Sequence, residues 1–234
     1  MKKLIFIYAS ILVIASSCKR DVYYRDGGTA VAEYSGDMLQ YLISKPIPFD
    51  SIAKSIKLAG LEESFKKDTF TFFAPDNAYI RNTIGTINTD GLNRRLYDLG
   101  KDTLKQLSEI SPEIWKKYLQ RYMFKGANLL KDYPQIDFNQ KLMFPGQLYY
   151  SLNKSIVNIG VEFQDANGIK YIGYRQLYIS YIPDISRPND NWFVTKISSS
   201  DIHPRNGVVH TLQYNGGNFG FNRNEFFDEV ISTR

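Results

Sequence analysis

The side chains able to do chemistry are few. The chain holds two histidines, His203 and His210, and one cysteine, Cys18, in 234 residues. Asp201, His210 and one of Ser198, Ser199 or Ser200 can be composed into a Ser-His-Asp arrangement on paper. A serine nucleophile needs a setting that holds it exposed beside its base, and there is no Gly-x-Ser-x-Gly elbow or comparable turn. No catalytic residue is therefore expected, and the chain reads as non-catalytic. His210 should bond to backbone or to a carboxyl partner near the Asn206-Gly207 turn. His203 lies in a proline-flanked loop and has no second histidine at ligand spacing, so neither a metal site nor a cofactor is expected. Gly216 to Gly220 lacks the Lys-Ser/Thr pair of a phosphate loop and follows a strand instead of opening a helix. Asp165-Ala-Asn-Gly168 is too short for a calcium loop and reads as a hairpin turn.

Binding is the remaining class, and aromatic residues would carry it. The chain has 17 Tyr and 15 Phe against 2 Trp. Tyr149, Tyr150, Tyr171, Tyr174, Tyr178, Tyr181 and Trp192 fall on or beside expected strands. Within 171–181 they alternate, Tyr171 and Tyr181 sharing odd parity and Tyr174 and Tyr178 even. One set should face the core and the other solvent; the alternative is that both sets are covered. Exposed tyrosines give large contact area at low entropy cost, which suits a protein partner or a glycan. Tyr122, Tyr171, Tyr174, Tyr178 and Tyr181 are the candidate binding residues.

These residues need elements to position them. From Ser35, Met38, Leu39, Leu42 and Ile43 recur at helical spacing until Pro46 and Pro48. Asp50 is the expected N-cap of a second helix carrying Ile52, Ile56 and Ala59, with Gly60 in the left-handed position after it. Thr69 to Phe73 is a β-branched and aromatic run closed by Ala74-Pro75-Asp76-Asn77, hence a strand turning a corner. Leucines between 82 and 109 suggest short helices. Ser111-Pro112 reads as N-cap and first helical position, and Ile114, Trp115, Tyr118, Leu119, Tyr122 and Met123 make one apolar stripe ending near Gly126. After Pro134 the period becomes two, with strands expected over 147–152, 155–163, 170–182, 192–198 and 207–214.

Composition sets the compartment. Hydrophobic residues at 43% and charged residues at 23% fit a folded domain. A formal charge of +5, in short pairs such as Lys66-Lys67 and Arg94-Arg95, gives no basic face, so no nucleic-acid partner is expected. Met1-Lys2-Lys3, the apolar run Leu4 to Ile14 and Ala15-Ser16-Ser17 form a leader ahead of Cys18. That run is well short of the roughly 18–20 residues that span a bilayer. The segment resembles a bacterial lipobox, with Ala15 where leucine is usual, and implies cleavage before Cys18 and lipidation of its sulfur. The resemblance implies a lipid-anchored protein of the outer membrane facing the cell surface, because Lys19 is not the aspartate of an inner-membrane retention signal. The expected organisation is a signal peptide over 1–17, a lipidated tether over 18–32 and one domain over 33–234. With Cys18 the sole cysteine, no intramolecular disulfide can form.

Two segments together carry a family resemblance. Thr69-Phe-Thr-Phe-Phe-Ala-Pro-Asp-Asn-Ala-Tyr79 is similar to the first signature of fasciclin (FAS1) domains, in which Phe73, Ala74, Pro75, Asp76 and Asn77 form the corner. Asp201-Ile202 followed by Asn206-Gly207-Val-Val-His210 is similar to the second. The tail from His210 to Phe221 resembles the ending of fasciclin-like lipoproteins of anaerobic Gram-negative bacteria. The resemblance implies an α+β fold, a fasciclin-like β-sandwich or wedge flanked by several short α-helices. It implies a surface binding module, either an accessory subunit of an outer-membrane nutrient uptake complex or a cell-adhesion lipoprotein; a surface hydrolase is the third and least favoured reading. The partners implied are the membrane through Cys18, an outer-membrane transporter with its lipoprotein partner, and a glycan or peptide ligand. The Tyr-His pair that the family uses in adhesion is Tyr122-Met123 here, which counts against adhesion. Segments 81–110 and 163–191 look longer than in a compact member.

Overall fold

A computed structural model describes residues 32–188, 190–214 and 216–234. The leader, Cys18 and most of the tether lie outside the described residues. The compact unit runs Glu33–Arg234. Its first half is helical: α1 (Met38–Ser44), α2 (Pro46–Leu58) and α3 (Glu62–Lys67), then strand β1 (Phe70–Ala74), α4 (Asn77–Ile84), α5 (Leu92–Asp98) and α6 (Pro112–Leu119). Strands β2 (Met123–Lys125), β3 (Gln147–Tyr150), β4 (Ile156–Phe163), β5 (Arg175–Tyr181), β6 (Phe193–Ile202) and β7 (Gly207–Leu212) follow, and α7 (Arg223–Ser232) closes the chain.

The strands form one seven-stranded sheet in the order β2-β1-β7-β6-β5-β4-β3. Only the β1–β7 pair is parallel. The sheet bends at β6: Phe193 to Lys196 pair with β5, while Ile197 to Ile202 pair with β7 across two register shifts. Bulges raise the local twist and turn a strand, so one sheet forms both halves of the wedge. Leu152 donates its N–H to the Met123 carbonyl at 2.8 Å, joining the end of the β3 segment to β2 at the far edge. The sheet thereby closes at one end into a near-barrel. The α+β wedge flanked by short helices is as expected.

Two expected boundaries are corrected, and one further helix is found. The second helix begins at Pro46, which fits the first turn because proline lacks the N–H that a helix start leaves unbonded. Asp50 lies inside that helix and pairs with Lys54 at 2.7 Å instead of capping. The Ser111-capped helix stops at Leu119, followed by a 3-10 turn over Gln120–Tyr122, and Met123 begins a strand. Backbone pairing of Phe72 with Met123 in the core outweighs the helical stripe there. The C-terminal helix α7, capped by Asn222 and buried through Phe226, Phe227 and Val230, was not anticipated, although its apolar residues stand at helical spacing.

Candidate functional site

His210 sits in the middle of β7 and is fully buried. Its Nε2 lies 3.0 Å from the Asn128 carbonyl, and Nδ1 accepts the Asp201 N–H at 3.2 Å. These partners define a neutral ring with the proton on Nε2. Burial holds its pKa down to about 4. Asp201 occupies the bulge of β6 at φ 58°, and its carboxylate accepts the Leu130 N–H at 2.7 Å. The Ser198 hydroxyl is spent on Thr211 and the Leu212 carbonyl. With both imidazole nitrogens engaged by backbone, His210 has no position free to take a serine proton. His210 and Asp201 therefore join the 127–132 segment to the bent sheet, while Ser198 ties β6 to β7.

The other residues of the two signatures are also fold-building. Asp76 accepts the N–H groups of Ala78 and Tyr79, capping α4. Asn77 accepts the Ser51 N–H at 2.7 Å and donates to the Pro46 and Ile47 carbonyls, locking α4 to the start of α2. The buried Phe73, Ala74 and Pro75 lead into this corner, with the Phe73 ring 5.0 Å from that of His210. Asn206 accepts the Met38 N–H at 2.8 Å and donates to the Phe65 and Asp68 carbonyls. Asparagine and glycine both tolerate positive φ in a turn, but of these two only Gly207 has it, at 152°. Asn206 acts through its side chain, and Gly207 allows the Phe70 carbonyl to approach closer than a Cβ would permit.

The tyrosines divide differently from the expected parity. Tyr178 and Tyr181 lie on opposite faces of β5, yet each is only 6% exposed. Leu177, Ile179 and Tyr181 face the main core, and the other face is covered by the 134–146 segment. Gly160 leaves room for Ile136 against the strand, Asn158 donates to the Pro145 carbonyl, and the Phe138 ring meets Tyr178 edge-on. Tyr178 donates to Glu162 at 3.0 Å. Tyr122 is fully buried and accepts the Gly220 N–H. Tyr122, Tyr178 and Tyr181 thus offer no face to a ligand in this fold, a correction to their place among the binding candidates.

A residue not singled out from sequence organises the core around Tyr181. Arg121 is buried between the rings of Tyr118 and Tyr181, at 4.4 and 4.6 Å from their centroids. It pairs with Glu225 of α7 at 2.6 Å and donates to the Gly220 carbonyl at 2.9 Å. Tyr181 also donates to Glu225, and burial together with that carboxylate pushes its pKa up to about 12. A buried arginine is tolerable because its charge is paired and its plane is stacked on aromatic faces.

Tyr171 and Tyr174 lie ahead of β5, in the loop that joins it to β4, with Tyr171 at φ 64°. Asn167 and Gly168 form the expected hairpin turn, closed by Ala166 and Ile169. The half-buried Tyr171 donates to Asp137 at 3.0 Å, accepts from Gln140 at 2.9 Å, and meets the Phe144 ring edge-on. The loop is thereby packed onto the 137–144 turn. Around this junction Leu142, Met143, Ile169, Ile172 and Tyr174 are exposed, Tyr174 at 67%. Lys141 covers the Trp192 ring at 3.8 Å and ties in a third segment. Separately, an aromatic cleft of about 460 Å³ opens between β2 and β3, lined by Phe124, Tyr133, Tyr149, Tyr150 and Leu152.

Among the described residues, no cluster of three or more His, Cys, Asp or Glu could hold a metal, and no helix is long and apolar enough to cross a membrane. The Fasciclin domain family model matches residues 48–214. A solved FAS1 domain pair from the insect cell adhesion molecule fasciclin I is similar at 15% identity with a TM-score of 0.47, over 76% of this chain and 50% of that one. This chain thus spans half the length of that structure. No curated protein matches the chain.

Proposed function

The chain belongs to the fasciclin domain family, and on that premise we propose that it is a non-catalytic, membrane-tethered module that docks on a protein partner. Fasciclin domains are adhesion and binding modules. The observation that carries the docking surface is the group of apolar side chains left exposed where the 137–144 turn meets the β4–β5 loop. Exposed apolar patches on soluble domains mark interaction sites, and this one is held in place by the Tyr171–Asp137 and Tyr171–Gln140 bonds instead of being loose chain.

Two further observations support the assignment. His210 is neutral, buried and fully bonded, which argues against acid–base chemistry. Tyr122 and Met123 are both buried, which argues against their use as adhesive contacts. The partner in this proposal is an outer-membrane transporter with its companion lipoprotein, carrying a glycan or peptide, and lipid on Cys18 holds the module beside it at the cell surface. The leader supports the tether.

Affinity purification in mild detergent through a C-terminal tag tests this function. A barrel transporter should co-purify in stoichiometric amount, and Leu142→Asp with Ile172→Asp should abolish it without changing the melting temperature. A monomer with no associated membrane protein, or an unacylated Cys18 by mass spectrometry, would contradict the proposal.

A further inference from the structure

We propose that the groove between α2 and α4 is a separate ligand site, for a single-chain carboxylate amphiphile of the fatty-acid class. Asn77 clamps the start of α4 to the first turn of α2. Beside that clamp the two helices and residues 106–108 border an open groove of about 680 Å³. That volume falls within the roughly 300–1,000 Å³ of small-molecule sites.

Its chemistry is divided. Leu58, Ile80, Ile84 and Leu107 supply an apolar lining. Lys57 of α2 and Arg81 of α4 stand exposed on facing helices at the rim. Lys54 also reaches the rim, but Asp50 answers its charge at 2.7 Å. Among the described residues no carboxylate lines the groove, and neither Lys57 nor Arg81 makes an ion pair. Two unanswered cations over an apolar floor complement a ligand with one anionic head and one hydrocarbon body. A neutral chain would leave the cations unused, and a purely acidic peptide would leave the floor unused. A planar guanidinium is suited to a carboxylate, which it can hold through two parallel hydrogen bonds.

The test is calorimetric titration of the full chain with dodecanoate below its micelle concentration, alongside Lys57→Glu/Arg81→Glu and Lys57→Gln/Arg81→Gln. The substituted residues are exposed and unpaired, so circular dichroism melting should be unchanged, and the neutral pair provides the test if the reversed pair folds poorly. Wild type should bind dodecanoate at one site, and the variants should weaken it by about tenfold or more, as expected when charge complementarity is removed. The apolar leader is common to all three proteins, so the difference reports on the groove. Dodecanol and dodecyltrimethylammonium should bind more weakly than dodecanoate, and hexaglutamate should not compete. Absence of dodecanoate binding, equal binding by the variants, equal binding of the uncharged or cationic chain, or competition by hexaglutamate would each overturn the proposal. None of these results depends on the partner surface around Leu142.

Discussion

The Tyr122 hydroxyl accepts the backbone N–H of Gly220 at 2.7 Å, across 98 positions of sequence. The Tyr122 ring lies 5.8 Å from that of Phe219 and 4.6 Å from that of Phe221, so the segment before α7 is fixed by one hydrogen bond and two ring contacts. Tyr122→Phe should keep the ring contacts and leave a buried N–H unbonded. A loss of about 1–3 kcal/mol is expected. Urea denaturation measures it, and an unchanged midpoint would mean that the bond contributes nothing net.

His210 makes stability depend on pH. Its folded pKa, near 4, lies below the ordinary value of 6.5. Below pH 6.5 the unfolded chain takes up a proton that the folded ring refuses, so stability is full above 6.5 and falls progressively toward pH 4. At pH 5 the loss from this group alone is about 2 kcal/mol. In nuclear magnetic resonance the His210 ring should keep its neutral signature, with the proton on Nε2, down to pH 5. A midpoint near 6.5 would refute the assignment.

Gly207→Ala should be among the costliest single-methyl additions in the chain. The new Cβ would collide with the Phe70 carbonyl, at a φ of 152° that side chains rarely adopt. The parallel β1–β7 pairing begins at that contact, Phe70 opposite Gly207. Roughly 2–4 kcal/mol of destabilisation is expected, read from the shift in thermal midpoint. A near-neutral result would show that β1 and β7 can part at this end without cost.

Tyr174 and Tyr178 make a matched pair four residues apart on the chain. Tyr178→Ala opens a cavity beneath Phe138 and frees Glu162, and should cost about 3–5 kcal/mol. Tyr174→Ala removes an exposed ring and should stay within about 0.5 kcal/mol of wild type. Equal losses at the two positions would contradict the covering of that sheet face by the 134–146 segment.

Much of the scaffold was legible because its signals are local. Period two marked β3 to β7, Pro112 after Ser111 marked the start of α6, and Pro75-Asp76 marked the corner into α4. Each signal depends on a residue's own backbone preference and those of its immediate neighbours. The same logic misplaced the start of α2: by it Pro46 is only the end of the first helix, whereas it opens the second, where the Pro46 and Ile47 carbonyls accept from the distant Asn77.

By itself, then, the sequence determined the order and kind of most elements, the two signature corners, and the lack of material for disulfide or multi-cysteine chemistry. The tertiary structure alone decided that Arg121 is buried between two tyrosines, that Met123 is strand and not helix, and that Tyr178 and Tyr181 are both covered while Tyr174 is not. Those outcomes depend on which distant segment covers a face: 134–146 over β5, and α7 over Arg121. Periodicity tells which side chains share a face, but burial depends on the partner that packs there, and that partner lies far away in the chain.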